Sequence, residues 1–453
     1  MMSRFIPADR RAPYLLAPSL SDWLPDDHLA RFVVEVVDQL DLTDLIRSYA
    51  GRGSAAHHPR ILLALLIYGY ATGVFSSRKI ERATHDSVAF RYIAANTHPD
   101  HDTLASFRRR FLPQLQALFV QVLLLAREMK LLKLGRIALD GTKVKANASK
   151  HKALSYAHAQ KIEEQLREEV RALTARAEAS DRDPIPDGMD IPAEIARRED
   201  RLAALSAAKA AIEARAQERY SQEQEAYDAK MAERQTREKT TGKKPKGKKP
   251  TPPTPGPGAK DQVNLTDDQS RIMPTSGGGF DQCYNAQAAV DTQTMLIVAQ
   301  HVVQAPNDKR QVVPTLERLA ALPDELGQPN VLIGDSGFCS AANVKACIDR
   351  GIDPLLAIQR DAHHLPLFER FAPDAPPPDT DDPVVLMAHQ LKTQRGRDLY
   401  ALRKQTVEPV FGIIKQVMGF RQFSLRGLAK VSGEWILVAL AWNLKRMNVL
   451  RMA

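Results

Sequence analysis

The chain has 453 residues, about three times a typical domain, so it is long enough for several domains and a full hydrophobic core. Its 63 Lys and Arg residues against 54 Asp and Glu give a net charge of +9, which favours a polyanionic partner such as nucleic acid. The first residues lack the apolar core of a signal peptide, no apolar run is long enough to span a membrane, and the cysteines form no CxxC pair. These features argue against a secreted protein, a membrane protein and a zinc site, and they favour the cytoplasm.

Residues 1–130 are predicted to form an all-α, DNA-binding domain. Pro59 suits the first turn of a helix, and Gly73 closes the apolar segment that follows. A second helix is predicted from residue 76 or 77 to residue 90, and a third from residue 102 or 103. The third carries Arg108, Arg109 and Arg110, so the segment resembles a helix-turn-helix that contacts a DNA backbone. The alternative is a small helical bundle with solvated arginines. We expect this region to have its own core, so that its removal spares the rest of the fold.

The middle of the chain changes pattern twice. Residues 131–152 contain an alternating segment, typical of a strand, that closes at Asp140 in the sequence DGT. Residues 153–238 have apolar positions at helical spacing on both sides of a break at 181–192, which predicts an inserted antiparallel helical hairpin. Residues 239–280, rich in Lys, Pro and Gly, are expected to be a disordered linker.

Residues 281–453 are predicted to complete a second globular region. Its predicted elements, in order, are strands at 285–291 and 295–303, a helix at 311–322, a strand at 331–333, a helix at 341–350, a strand at 354–358, a loop at 361–395, and helices at 403–418 and 427–449. Without the insertion the order is βββαβαβα. We therefore predict an α/β fold: a ribonuclease H-like mixed sheet flanked by helices, with an all-α N-terminal domain and a helical-hairpin insertion.

Three isolated acids close or follow hydrophobic runs: Asp140, Asp335 and Glu408. In the predicted fold, two strand ends and one helix bring such acids together. Three convergent carboxylates suit two Mg²⁺ ions roughly 3.5–4 Å apart, which activate a nucleophile for in-line attack on a phosphodiester. In a basic protein this combination predicts an enzyme that cuts and rejoins DNA.

Four sequence blocks resemble those of the DDE transposases of bacterial insertion sequences: IALDGTKVKANASKHKA, YNAQAAVD, VLIGDSGF and RKQTVEPVFGIIK. The resemblance implies that Asp140, Asp335 and Glu408 are catalytic and bind two Mg²⁺ ions, for which Mn²⁺ can substitute. It also implies double-stranded DNA partners (terminal inverted repeats and target DNA), a homodimer or higher oligomer on DNA, no membrane association, and a place at the nucleoid. A metal-dependent nuclease and a catalytically idle DNA-binding protein derived from a transposase are the alternatives.

The same resemblance implies DNA-binding residues around the last acid. Tyr400, Arg403 and Lys415 match a family signature, but Arg403 precedes Glu408 by five positions where the usual interval is four. Lys404 is therefore an equal candidate for the role of Arg403. Helical geometry places Lys404 and Lys415 on the face of Glu408 and turns Arg403 away, unless the proline after Glu408 breaks the helix.

Further polar residues are candidate DNA contacts. Lys143 and Lys145 alternate after Asp140, and we expect both to be exposed and to contact phosphates. Asn285 and Gln287 share one face of a predicted strand, where they either line the DNA path or have a structural role.

Overall fold

The structure, a computed structural model, describes residues 19–49, 56–179, 190–242, 247–275, 277–358 and 373–452. Most of the predicted break at 181–192 and the start of the predicted loop at 361–395 lie outside the described residues. The chain divides into two compact units: one combines Met1–Lys145 with Tyr284–Ala453, and the other comprises Ala146–Cys283.

The described N-terminal residues form a series of helices: α1 Leu29–Gln39, α2 Thr43–Arg47, α3 Pro59–Thr72, α4 Ser77–Asp86, α5 Val88–Ile93, α6 His101–Phe111 and α7 Leu115–Glu128. Pro59 occupies the first turn of α3, and Gly73 ends it in the left-handed conformation at φ 84°, as predicted. The second predicted helix is interrupted, because Ser87 adopts extended backbone angles between α4 and α5.

The strands are β1 Arg136–Lys145, β2 Ala153–Ser155, β3 Gln262–Asn264, β4 Arg271–Pro274, β5 Phe280–Asp291, β6 Ile297–Val303, β7 Val331–Gly334 and β8 Asp353–Leu356. In the larger unit the strands lie across the sheet in the order β6, β5, β1, β7 and β8, and each strand pairs with its neighbours in this order. β6 runs antiparallel to β5, whereas β1, β7 and β8 are parallel. Numbered along the chain, these five strands have the spatial order 3-2-1-4-5, which confirms the predicted ribonuclease H-like mixed sheet.

The remaining helices lie between and after the strands. The smaller unit contains α8 Tyr156–Ala179 and α9 Ile191–Thr241. The larger unit contains α10 Val312–Ala320, α11 Ala341–Ile348, α12 Pro383–Lys392, α13 Gln394–Gly412 and α14 Leu428–Leu450. Helix α12 lies within the segment predicted as a loop, and that prediction is wrong from Pro383 onward, whereas the described residues 373–382 form no helix or strand. Helix α13 begins at Gln394 rather than at residue 403 and continues through Pro409.

A π-helical turn, Ile413–Val417, follows α13. The spacing of Val407, Val410, Ile414 and Val417 predicts one apolar stripe, and the first three are indeed buried. Val417 is instead 68% exposed, because the wider π turn changes the angular position of the residues that follow it.

Helix α14 is buried on nearly all sides and joins the two ends of the chain in one core. It contacts α1, α3, α7 and β6, and Trp435 and Trp442 are buried. Asn443 bonds the backbone N–H and C=O of Ile297 in β6 at 2.9 and 2.8 Å. Because the described N-terminal helices share their core with α14, residue 130 is not a boundary between separate cores.

The smaller unit contains the predicted antiparallel pair, α8 and α9. Glu163 of α8 contacts Lys209, and Glu169, further along α8, contacts Arg198, which is earlier in α9. The partners therefore run in opposite directions. Apolar side chains from both helices and from β2 and β3 form a small core: Leu154, Ala159, Leu166, Leu205, Ala208, Ile212 and Val263.

The prediction of a disordered linker at 239–280 is wrong for much of that segment. β3 pairs with β2, and β4 pairs with the start of β5. Each short strand also buries one apolar side chain, since Val263 is 2% exposed and Met273 is fully buried. Arg219 of α9 also holds Asp261 at 3.0 Å.

Candidate active site

Asp140 and Asp335 lie side by side at the centre of the sheet. Leu139 of β1 is opposite Gly334 of β7, and each is followed by one of the acids. Because these strands are parallel and adjacent, the two carboxylates emerge at the same level. β1 does not end at Asp140 as predicted but continues to Lys145, so the first acid is held within a strand.

The surroundings of Asp140 oppose its ionisation. Burial raises the pKa of this carboxyl to about 7, and the negative charges of Asp335 and Asp308 act in the same direction. The backbone N–H of Gly141 donates to the carboxylate at 2.8 Å, and Arg403 offsets part of the shift. The site therefore concentrates negative charge in a region that is poorly solvated.

Arg403 connects the first and third acids. Its guanidinium lies 3.3 Å from an oxygen of Asp140 and 2.7 Å from an oxygen of Glu408. Helix α13 packs against β1, which brings this arginine over the strand. The geometric prediction that Arg403 turns away from the acid is wrong, because its long side chain reaches Glu408 despite the angular offset. Lys404 is exposed, and its role at the site stays a prediction.

Lys415 is attached to the strand that carries Asp140. From the π turn, its ammonium donates to the hydroxyl of Thr142 and, at 2.9 Å, to the carbonyl of Lys143. These bonds give Lys415 a structural role that the sequence prediction did not include. Contact between the same ammonium and DNA stays a prediction.

Replacing Lys415 by Gln is expected to lower the melting temperature, because it removes charge-assisted hydrogen bonds, each of which contributes about 1.5–3 kcal/mol. Thermal melting and the salt dependence of DNA binding measure the two possible roles. Lys404→Gln, at an exposed lysine of α13, serves as the control for melting. If Lys415→Gln melts like the wild type and lowers the salt slope by roughly 1, Lys415 acts on phosphate instead.

The prediction that Lys143 is exposed is wrong. Its ammonium lies 3.7 Å from Asp308, and its side chain is only 18% exposed. Asp308 also accepts hydrogen bonds from Asn285 at 2.7 Å and Gln287 at 2.5 Å. Asn285 and Gln287 are completely buried, so of the two readings left open for them, the structure supports the structural one. Asp308 was not predictable as a site residue, because a lone acid in a polar loop has no distinguishing signal in the sequence.

The remaining lysine and tyrosine candidates differ in their surroundings. Lys145 is exposed, as predicted. Tyr400 is half-buried and packs against a cluster of Val331, Ile333 and Leu355 in β7 and β8. Its proposed contact with DNA therefore competes with a packing role.

The arginine cluster of α6 is not a free surface for DNA. Arg108 donates to the Tyr70 hydroxyl at 3.0 Å and to the carbonyl of Phe75 at 3.2 Å. Arg110 bonds the carbonyl of Ser48 and lies over the ring of Tyr49. These bonds give Arg108 and Arg110 structural contacts, and DNA contact by either residue stays a prediction.

Arg109 differs from its two neighbours in α6. It is exposed, and it donates a hydrogen bond to the hydroxyl of Ser106, one turn earlier in the same helix, at 3.3 Å. Arg110 is exposed as well, but it is anchored on Ser48, whereas the contact of Arg109 lies within its own helix, so Arg109 is suited to a DNA phosphate.

The donor set suits a divalent cation, although the acids are not assembled around one. Within the described part of the chain, no three His, Cys, Asp or Glu side chains are placed to hold a metal ion together. Asp140 and Asp335 adjoin, whereas Glu408 is engaged by Arg403. Carboxylate oxygens are the ligands that Mg²⁺ prefers, so the set fits the ion if Glu408 exchanges its arginine partner for it.

The raised pKa of Asp140 predicts a pH effect on stability. The folded value of about 7 exceeds the ordinary value of 3.8, so the contribution of this group is fully present below about pH 4 and is lost as the pH rises through 7. We expect the melting temperature in EDTA to fall between pH 5 and 8 more steeply for the wild type than for Asp140→Asn. Identical slopes for the two proteins would contradict the assignment.

Comparison with known families places these residues in context. Residues 240–444 match the family model described as Transposase DDE domain, and residues 18–110 match that described as Transposase domain (DUF772). The first match contains Asp335 and Glu408, and Asp140 lies between the two. No curated protein and no solved structure gives a significant match.

Among the described helices, none is by itself long and apolar enough to cross a membrane; only α3 and α4, bent by 96°, pass that test as a pair.

Proposed function

Because the chain belongs to the DDE transposases of the insertion-sequence type, we propose that it binds the terminal inverted repeats of its element, cleaves the adjoining DNA and joins the freed 3′ ends to target DNA. Binding to double-stranded DNA would locate the protein at the nucleoid. Pairing of two element ends requires at least a dimer.

The arrangement of the three acids supports this proposal most directly. Asp140 and Asp335 lie abreast on parallel strands, and one guanidinium joins Asp140 to Glu408. Acids that are 195 (335 − 140) and 73 (408 − 335) positions apart in sequence are thus connected through one pair of strands and one arginine. All three acids being present argues against the idle DNA-binding alternative.

Asp140, Asp335 and Glu408 would hold two Mg²⁺ ions, for which Mn²⁺ can substitute. When bound, the ions supply an activated hydroxyl nucleophile and stabilise the leaving oxygen. Arg403 holds the carboxylates of Asp140 and Glu408 in place and partly neutralises them. Once Glu408 is released, the guanidinium of Arg403 is suited to contact the DNA backbone, because its planar donors match phosphate oxygens.

The exposed basic residues would hold the DNA backbone around these acids. Lys145, Lys404 and Arg109 are exposed, and each adds a positive charge. Contacts between such charges and phosphates do not depend on the base sequence of the DNA. Recognition of the inverted repeat therefore requires further base contacts, which we assign to the N-terminal helices.

A strand-transfer assay tests the proposal. The substrate is a pre-cleaved duplex that ends in the inverted repeat flanking the reading frame, incubated with target DNA and Mg²⁺. We expect joined products. Cleavage of uncut substrate without joining would instead indicate the nuclease, and binding without either reaction would indicate the idle DNA-binding protein.

A further inference from the structure

A buried polar cluster lies directly behind Asp140. Asp308, in the loop after β6, accepts hydrogen bonds from the side-chain amides of Asn285 and Gln287 in β5. The Asn285 amide also donates to the carbonyl of Ala305 at 3.1 Å, which fixes the loop on the strand. Lys143 of β1 completes the cluster through its ion pair with Asp308. Three separate segments are thus joined at one carboxylate.

This cluster packs tightly against the residue that follows Asp140. A methyl group added at Gly141 would come within 2.2 Å of the Gln287 amide nitrogen and 2.4 Å of an oxygen of Asp308. Such distances are far below van der Waals contact, so only glycine fits here. The N–H of Gly141 is also the donor to the Asp140 carboxylate. The cluster therefore packs against the residue whose N–H donates to that carboxylate.

The cluster is not arranged for stability alone. The side-chain oxygens of Asn285 and Gln287 are buried and have no hydrogen-bond partner among the described residues. A buried acceptor without a partner costs about 1–3 kcal/mol. Both amides turn their N–H groups to Asp308 and leave these oxygens unsatisfied, which indicates that the position of the Asp308 carboxylate is what the arrangement maintains.

We propose that Asp308 is a positioning residue that fixes the peptide of Gly141, and through it the Asp140 carboxylate, in the orientation that metal binding requires. This inference rests on the proposed function, because it assigns Asp140 to the metal site. Asp308 itself is held by Lys143, Asn285 and Gln287 and need not contact DNA or metal.

Two substitutions of Asp308 test the inference. Asp308→Ala removes the acceptor of both amides, whereas Asp308→Asn retains one acceptor in nearly the same volume. We expect Asp308→Ala to lower the affinity for Mn²⁺ at least fivefold, measured by electron paramagnetic resonance of free Mn²⁺. The Mg²⁺ concentration for half-maximal single-turnover cleavage should rise to a similar extent, and Asp308→Asn should show a smaller change in both.

Asp353→Ala is the matched control, since Asp353, in β8 of the same sheet, accepts a hydrogen bond from the side-chain amide of Gln390 in α12. It should lower the melting temperature without changing Mn²⁺ affinity. Wild-type Mn²⁺ affinity and Mg²⁺ dependence, within twofold, in Asp308→Ala would overturn the inference; if that variant does not fold, the same result in Asp308→Asn overturns it. Failure of the wild type to cleave DNA would count against the proposed function. The Mn²⁺ affinities of the wild type and the variants do not depend on cleavage, so they test the role of Asp308 separately.

Discussion

Asp140→Asn, Asp335→Asn and Glu408→Gln are each expected to reduce DNA cleavage below detection while leaving binding of the element ends close to the wild-type level. Each substitution removes an anionic oxygen ligand and leaves the shape of the side chain nearly unchanged. Binding rests on basic residues elsewhere, so it should not depend on the acids. Single-turnover cleavage in Mg²⁺ and mobility-shift titrations of the same end duplex measure the two properties.

Glu317→Gln, at an exposed acid of α10, is the control for loss of one negative charge and should cleave normally. The Glu408 variant is the most informative of the three, because in the structure this side chain contacts Arg403 and is 45% exposed. Substantial cleavage by Glu408→Gln in Mg²⁺ would refute its role.

Deletion of residues 1–130 is expected to prevent folding of the remaining chain. The truncation would uncover the faces of α14 that pack on α3 and α7, and a large exposed apolar surface leads to aggregation. It would also remove the Tyr70 hydroxyl, which donates to the fully buried Glu434 at 2.8 Å. The backbone N–H groups of Ser424 and Leu425 would then be the remaining donors to this carboxylate among the hydrogen bonds of the described residues. This outcome reverses the expectation, drawn from sequence, that the rest of the fold is spared.

Circular dichroism, thermal melting and size-exclusion chromatography of the truncated protein measure this outcome. The matched deletion removes 156–260, a similar number of residues, from the smaller unit. Its ends adjoin, since the N–H of Tyr156 donates to the carbonyl of Asp261 at 2.8 Å, and the larger unit should remain folded. A cooperative melting transition in the protein lacking 1–130 would show that the sequence-based expectation was right.

The order of the elements was predictable because periodicity and local capping act over short distances. Pro59 and Gly73 mark the ends of α3, and the alternation before Asp140 and the apolar run before Asp335 mark β1 and β7. In each case the deciding interaction lies within a few residues in sequence, so a single chain reveals it.

Side-chain partners were less predictable because they depend on reach and on tertiary packing. Arg403 meets Glu408 although its Cα direction differs, and the π turn exposes Val417. Arg108 appears solvated in sequence, yet it bonds the hydroxyl of the buried Tyr70. The apolar character of α14 indicates burial but does not say that α3 and α7 are what covers it.

The most direct test of the metal site is anomalous scattering from Mn²⁺ in a crystal of the protein bound to a pre-cleaved element end. We predict two peaks roughly 3.5–4 Å apart, coordinated by Asp140, Asp335 and Glu408, with Glu408 released from Arg403. A cleavage-competent complex in which Mn²⁺ lies away from these acids, or in which Glu408 remains bound to Arg403, would contradict the assignment.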